Sequence, residues 1–258
     1  MLFFKCRLKV DRFSASAFII LVGGGSDMKI REFVGNELSG WKFWEAAWLV
    51  IACAVITGLS IYWHDTVMGI ISSTTGVACV VCTGKGKLSA YVFGTVNVVL
   101  YAIISFQAKY YGEVMLNVLY YLPMEIYGFA VWYKHMDPET HEVEKKTMKA
   151  KGAAWLTAGV LLVTAGYGWL LSALGGALPF IDAFSTVASV AAMIVSVRMY
   201  AEQWILWIAV DVVSVIMWAV VFFKGNESIA TLLMWVVYLL NAVIMYFKWK
   251  REAVRNAI

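Results

Sequence analysis

Two tryptophans and a carboxylate share one face of an apolar segment in the C-terminal half of the chain. Trp204, Trp207 and Asp211 are spaced i, i+3 and i+7, which places them on the same side of an α-helix. The apolar run 203–223 is long enough to cross a bilayer, and Asp211 falls near its middle. A carboxylate at that depth costs roughly 2.5–3.5 kcal/mol. We therefore expect a polar site inside a helical bundle; the alternative is an Asp that ties helices together beside a structural tryptophan pair.

Further hydrogen-bonding residues lie within other apolar segments. Aromatic faces stack on flat rings and attract positive charge, and amides pair with hydroxyls or a carboxamide. Together with the carboxylate, they suit a planar, polyhydroxylated or weakly cationic small molecule. Glu125 and Glu202 are balanced between a structural and a functional role. The candidate substrate-binding residues are Asn97, Gln107, Tyr120, Trp204, Trp207, Asp211, Tyr238 and Asn241.

The composition indicates a polytopic α-helical membrane protein. Of the residues, 62% are hydrophobic and only 15% are charged, which leaves too little polar surface to cover a soluble domain. The apolar runs are continuous, whereas a transmembrane β-barrel would have short alternating segments. Eight apolar segments are predicted to span the bilayer: 44–63, 66–83, 89–106, 114–134, 153–173, 180–198, 203–223 and 228–247.

The distribution of Lys and Arg predicts the orientation. With eight spans, nineteen of the 21 basic residues fall on the face that carries both termini, and only Lys109 and Lys224 fall on the other. By the positive-inside rule, both termini and the 135–152 loop are predicted to be cytoplasmic. The mixed charges of this loop indicate a solvated connection. The apolar stretch 13–25 is too short to span, and residues 1–27 before Met28 are assigned no function.

The two halves of the chain match at a fixed offset of 114 residues. Asn97 then aligns with Asp211, and Tyr121 aligns with Trp235, without a gap over about 70 residues. The repeat unit is three spans, and the single span between the units makes the triplets parallel, as in known transporter folds. The predicted fold is all-α with eight transmembrane helices, two parallel three-helix repeats joined by a linker helix (3+1+3), and one extra N-terminal helix. The predicted parts are an N-terminal cytoplasmic extension (1–43), the extra helix (44–63), the first repeat (66–134), the loop (135–152), the linker (153–173), the second repeat (180–248) and a cytoplasmic tail (249–258).

Other functional classes have little support. An integral-membrane enzyme would need a nucleophile–base pair or a metal cluster, and the sequence contains neither pattern. Thr83–Ser89 lacks the spacing of a phosphate-binding loop. We expect no catalytic residue, no cofactor and no metal, and the net charge of +4 reflects membrane topology and not nucleic-acid binding. An ion-coupled symporter stays an alternative to a uniporter.

The segment Glu202-x-Trp204-x2-Trp207-x3-Asp211 resembles the Trp-x2-Trp-x3-Asn/Asp signature of the PnuC family of bacterial vitamin transporters. The 3+1+3 repeat looks like their fold, which parallels that of the SWEET sugar transporters. The resemblance covers residues 44–250. The eighth span and the extension before Met28 depart from the minimal seven-span pattern.

This resemblance implies a function and a set of partners. It implies uptake of nicotinamide riboside across the bacterial inner membrane by facilitated diffusion, with trapping by a cytoplasmic kinase; relatives carry thiamine or riboflavin. It also implies a homotrimer. Trp207, Asp211 and Asn97 would contact the ligand, with Gln107, Tyr120, Tyr238 and Asn241 as weaker candidates.

Overall fold

A computed structural model describes residues 27–64, 66–107, 111–175, 178–223 and 229–256. The chain forms two compact units, Met1–Ser39 and Gly40–Ile258. In the first unit, helix α1 spans Asp27–Leu38. The apolar stretch 13–25, predicted to be too short to span, falls outside the described residues.

The second unit is helical, and its described residues contain two isolated β-bridges but no β-strand. Its helices follow the apolar segments of the sequence closely. They are α2 (Phe43–Tyr62), α3 (Val67–Lys85), α4 (Ser89–Gln107), α5 (Tyr111–Met115), a π-helical segment (Leu116–Tyr121), α6 (Leu122–Lys134), α7 (Ala150–Ala173), α8 (Pro179–Val197), α9 (Gln203–Phe223) and α10 (Ile229–Asn256).

Most of these helices have the length and composition of membrane spans. Among the described residues, six stretches qualify, and α9 contributes a shorter apolar stretch, Gln203–Met217. Large apolar side chains are widely exposed, as on α7, where Leu162 is 76% exposed and Trp169 is 71% exposed. Such surfaces need lipid or another protein around them. The six spans are Phe43–Tyr62, Val67–Lys85, Ser89–Gln107, Glu113–Lys134, Ala150–Ala173 and Pro179–Val197.

Six helices of the second unit pack in a closed ring. Going round the ring, α3 contacts α4, α4 contacts α6, α6 contacts α8, α8 contacts α9, α9 contacts α10, and α10 returns to α3. Outside the ring, α2 packs on α3 and α10, while α7 packs on α8. The predicted triplets therefore contribute three neighbouring helices each, and they meet at the α3–α10 and α6–α8 contacts.

The helix that ends in α6 changes its winding before Pro123. Proline has no backbone N–H and crowds the preceding turn, so a regular α-helix is interrupted there. The chain responds with a π-helical segment, whose wider turn is closed by a hydrogen bond from the Leu122 N–H to the Asn117 carbonyl. The interruption before Pro123 thus takes the form of an extra residue in the turn that precedes it.

The 135–149 connection is docked on the bundle, which differs from the solvated loop expected from its charges. The Val143 N–H donates to the Gly86 carbonyl (2.9 Å) in the α3–α4 turn. The Lys146 N–H donates to the Met199 carbonyl (2.9 Å) in the α8–α9 turn. Val143 and Lys145 are only 2% and 4% exposed. The connection therefore bridges equivalent turns of the two triplets.

Ion pairs explain why charged residues are buried at this end of the bundle. The Lys85 ammonium lies 2.6 Å from Glu45 and 2.8 Å from Glu142. Lys145 lies 2.6 Å from Glu142 and 2.5 Å from Glu252. Burial alone would raise the pKa of Glu142, but Lys145 and Lys85 outweigh it and hold the pKa below its usual value.

The last helix is longer than the sequence indicated. The predicted span ends at 247, followed by a tail, whereas α10 continues to Asn256. Trp249 is fully buried, and Glu252 pairs with Lys145 of the docked connection. The helix is extended because its last turns pack on protein.

Two tryptophans join the triplets near the same end. The Trp132 indole on α6 donates to the Ser196 carbonyl near the end of α8 (3.1 Å). The Trp249 indole on α10 donates to the Gly84 carbonyl near the end of α3 (2.8 Å). Both side chains are fully buried, and their rings lie 6.1 Å apart. Each triplet thus holds the first helix of the other through an indole.

Candidate functional site

The helical ring encloses a cavity of about 260 Å³. This lies just below the range of roughly 300–1,000 Å³ typical of pockets for drug-sized ligands, so it suits a small solute. Every helix of the ring contributes to the wall. The polar and aromatic residues of the lining include Tyr91, Asn97, Asn117, Tyr121, Glu125, Ser189, Trp204, Trp207, Asp211, Trp235, Tyr238 and Asn241.

Helix α9 presents the predicted face to the cavity. Trp204, Trp207 and Asp211 all line it, as their spacing indicates. Trp204 is 2% exposed, packs edge-on against Trp249, and has a buried indole N–H without a hydrogen-bond partner. Asp211 is 4% exposed. Among the described residues no hydrogen bond to its carboxylate is found, so its oxygens remain able to accept from a ligand.

Asn97 and Tyr238 approach each other across a glycine of α3. A Cβ at position 76 would overlap the Tyr238 hydroxyl and lie 3.0 Å from the Asn97 amide nitrogen. The Asn97 amide donates to the carbonyl of Ser72 (2.7 Å) and lies 3.3 Å from its hydroxyl. Asn97 therefore lines the cavity while part of its amide is already bonded to α3.

Asn241 also lines the cavity, but its amide is bonded within the protein. Its oxygen accepts from the Trp48 indole (3.1 Å), and its nitrogen donates to the Val80 carbonyl (3.1 Å). The residue is fully buried and connects α2, α3 and α10. This geometry favours a structural role, and ligand contact by Asn241 stays a prediction.

Two predicted residues are not part of the lining. Gln107 is exposed at the end of α4. Tyr120 donates from its hydroxyl to the Val190 carbonyl of α8 (2.7 Å), and the next residue, Tyr121, lines the cavity instead. The π-helical segment changes the helical phase here, which spacing for a regular helix does not anticipate. Glu202, considered for either role, accepts from the Met148 N–H (3.1 Å), which favours a structural role.

Two lining residues of the first triplet were not identified as candidate binding residues from the sequence. Tyr91 was not among the candidates, and Glu125 was balanced between two roles, yet both line the cavity. Glu125 is 7% exposed. A signal was present in the glycines, because Gly94 leaves room for the Glu125 carboxylate and Gly128 leaves room for the Tyr91 ring.

Several pairs of residues related by the 114-residue offset line the cavity together. Asn97 and Asp211 form one such pair, and Tyr121 and Trp235 form another. Cys79 and Met193 form a third. The cavity wall is therefore built from matching positions of both triplets.

Comparisons with known proteins agree with this architecture. The family model described as "Nicotinamide mononucleotide transporter" matches residues 66–251. The chain is 39% identical to the nicotinamide riboside transporter PnuC of Neisseria mucosa, over 90% of each chain. It is 33% identical to the protein of the same name from Haemophilus influenzae, over 88% of this chain and 96% of that one.

A solved structure shows the same fold. The structure described as "Crystal structure of the Vitamin B3 transporter PnuC" superposes with a TM-score of 0.76 at 36% identity, covering 90% of this chain and 99% of that one. The resemblance inferred from the tryptophan–carboxylate motif is thereby confirmed. With most of its length matched by the family model and by these relatives, the chain belongs to the PnuC family of membrane transporters.

Proposed function

We propose that this protein takes up nicotinamide riboside across the bacterial inner membrane by facilitated diffusion. The observation that carries the proposal is the cavity of about 260 Å³ inside the helical ring, in a chain of this transporter family. Its lining combines indole and phenol rings with amides and carboxylates. These groups match a flat aromatic ring, a carboxamide and the hydroxyls of a ribose.

Trp207 and Asp211 are the central ligand contacts in this proposal. Trp207 offers an aromatic face, and the Asp211 carboxylate has no protein donor among the described residues. Asn97 and Tyr238 lie together beside Gly76 and form a second contact set. The buried N–H of Trp204 adds a donor at the end of the cavity nearest Trp249.

Transport follows from rocking of two parallel triplets, α3–α4–α6 and α8–α9–α10, with α7 as linker and α2 as the additional helix. The indole bonds of Trp132 and Trp249 support this plan, because each joins the last helix of one triplet to the first helix of the other. So do the repeat-related pairs in the cavity wall. Opening at the Trp132–Trp249 end would require these bonds to break, whereas opening at the other end would leave them intact.

Both termini and the docked 135–149 connection are cytoplasmic in this proposal, because the basic residues concentrate on that face. A cytoplasmic kinase then traps the riboside by phosphorylation. We further propose a homotrimer, which light scattering of the detergent-solubilised protein would test. The exposed apolar surface of α7 provides area for contacts between protomers or with lipid.

The substrate is tested by calorimetric titration of the purified protein with nicotinamide riboside, nicotinamide, thiamine and riboflavin. We expect saturable binding of the riboside and much weaker binding of the other three. Tight binding of thiamine or riboflavin alone would assign a different vitamin.

The transport mode is tested by counterflow in proteoliposomes. We expect exchange of labelled riboside without any ion gradient. A strict requirement for a proton or sodium gradient would replace the uniporter by a symporter, while leaving the binding site unchanged.

A further inference from the structure

The first triplet carries a second carboxylate that the proposed function has not used. Glu125 lies near the start of α6, is 7% exposed and lines the cavity. Its Oε2 atom is buried without any hydrogen-bond partner. A buried carboxylate without a partner is costly, so such a group indicates that a partner arrives from outside the chain.

The backbone of α4 is shaped around this carboxylate. A Cβ at position 94 would lie 2.6 Å from both oxygens of Glu125, so the glycine allows the carboxylate to rest against α4. Any larger residue at position 94 would displace it. Gly94 supplies space but no side-chain donor, and the carboxylate is thus accommodated sterically without a hydrogen bond from that position.

No protein cation balances Glu125 in the cavity. Among the described residues that form the lining, none is Lys, Arg or His. Lys85 and Lys145 are already paired with Glu45, Glu142 and Glu252 at the end of the bundle. With Asp211, the cavity therefore contains two carboxylates and no positively charged side chain in its described wall.

The neighbours of Glu125 are aromatic. Tyr91 and Tyr121 line the cavity together with Glu125, and the Tyr91 ring stands edge-on to Trp132 at 5.0 Å. Asp211 instead interacts with Tyr238. A carboxylate among tyrosine rings is suited to a flat cation, because the rings and the negative charge both attract it.

We propose that Glu125 is the counter-ion of the positively charged pyridinium ring of the substrate, and that it makes the site selective for the cationic form of the riboside. This rests on the proposed function. Asp211 and Asn97 then hydrogen-bond to the polar groups of the ligand, while Glu125 pairs with its positive charge. The uncharged, two-electron-reduced riboside, in which the ring nitrogen carries no positive charge, gains nothing from Glu125.

The experiment is calorimetric titration with nicotinamide riboside and with its reduced form, which differ in charge and little in size. The wild-type protein is expected to prefer the cation. Glu125→Gln is expected to lose affinity for the cation by at least about 30-fold, as when one partner of a buried charge pair is removed. Its affinity for the reduced riboside is expected to change little.

Two matched variants complete the test. Asp211→Asn is expected to weaken both ligands alike, because its contact is to groups that both ligands share. Glu139→Gln makes the same substitution at an exposed residue outside the cavity lining, and it is expected to bind both ligands like wild type.

Several results would overturn the proposal. These are equal losses for both ligands in Glu125→Gln, no loss for either, or a cation-specific loss in Asp211→Asn instead. If Glu125→Gln does not fold, Glu125→Asp retains the charge and must retain the preference for the cation. A wild-type protein that binds both forms equally also overturns it, whereas a wild-type protein that binds neither contradicts the proposed function itself.

Discussion

The middle helices of the two triplets, α4 and α9, differ most where the 114-residue repeat makes them equivalent. Asn97 of α4 donates its amide to the Ser72 carbonyl of α3 (2.7 Å). Asp211 of α9 has no hydrogen bond within the described residues. The first residue holds two helices together at the cavity wall, and the second offers unused acceptors. One repeat position is therefore bonded to a neighbouring helix in one half and has no hydrogen-bond partner among the described residues in the other.

The ends of the triplets, by contrast, are nearly the same. Trp132 and Trp249 make the same bond to opposite partners, and the docked connection contacts the turns at Gly86 and Met199 alike. By the 114-residue offset Trp132 aligns with Tyr246 and not with Trp249, so the two indole bonds are similar contacts made from different repeat positions.

The largest effect is expected from Asp211→Ala. The substitution removes a charged hydrogen-bond acceptor from a buried site, and this is expected to lower riboside affinity by about 30-fold or more. Because no protein donor bonds this carboxylate in the described residues, the melting temperature should stay near that of wild type. Calorimetric titration measures the riboside affinity, and thermal unfolding in the same detergent measures the melting temperature. Unchanged affinity would contradict the ligand role of Asp211.

The converse pattern is expected from Asn97→Ala. Removal of the bond to Ser72 is expected to cost roughly 1 kcal/mol of stability. Riboside affinity should fall less than in Asp211→Ala, because the amide is partly engaged in the protein. The same two assays apply, with Thr95→Ala as a control, since its hydroxyl bonds only within its own helix, to the Tyr91 carbonyl. A larger affinity loss at Asn97 than at Asp211 would reverse the comparison.

The similarity of the ends is tested with Trp132→Phe and Trp249→Phe. Each variant keeps an aromatic ring and loses one indole N–H, so each is expected to cost about 1 kcal/mol. We expect comparable changes in counterflow rate, within a factor of a few, and similar losses in melting temperature. A strong effect from only one variant would show that the two indole bonds do not contribute equally to holding this end of the bundle closed.

The smallest effect concerns the docked connection and pH. The pKa of Glu142 is held below its usual value, so its ion pairs stabilise the fold at neutral pH and are lost as the pH falls through that lowered pKa. Wild type should therefore be more stable than Glu142→Gln at neutral pH, and the difference should shrink in acid below about pH 4. Thermal unfolding of both proteins over this range measures it. A difference that is constant with pH would exclude this electrostatic contribution.

The sequence predicts the helices and the α9 face well, because both depend on local pattern. Apolar length defines the spans, and the spacing of Trp204, Trp207 and Asp211 defines a face wherever the helix is regular. In the π-helical segment, Tyr120 bonds to α8 while its neighbour Tyr121 lines the cavity, and ligand contact by Tyr120 stays a prediction. The burial of Lys85 and Lys145 was missed because Glu45 and Glu142, which pair with Lys85, and Glu252, which pairs with Lys145, are distant from them in sequence.

The paired indoles restrict how the protein can leave this state. Each tryptophan belongs to one triplet and donates a hydrogen bond to the other. The two triplets therefore cannot separate at this end while either bond remains. Separation at this end must break both bonds together, and their rings, 6.1 Å apart, must part in the same step. Half-released intermediates would then be sparsely populated, and the switch between the two sides of the membrane would be cooperative within a single chain.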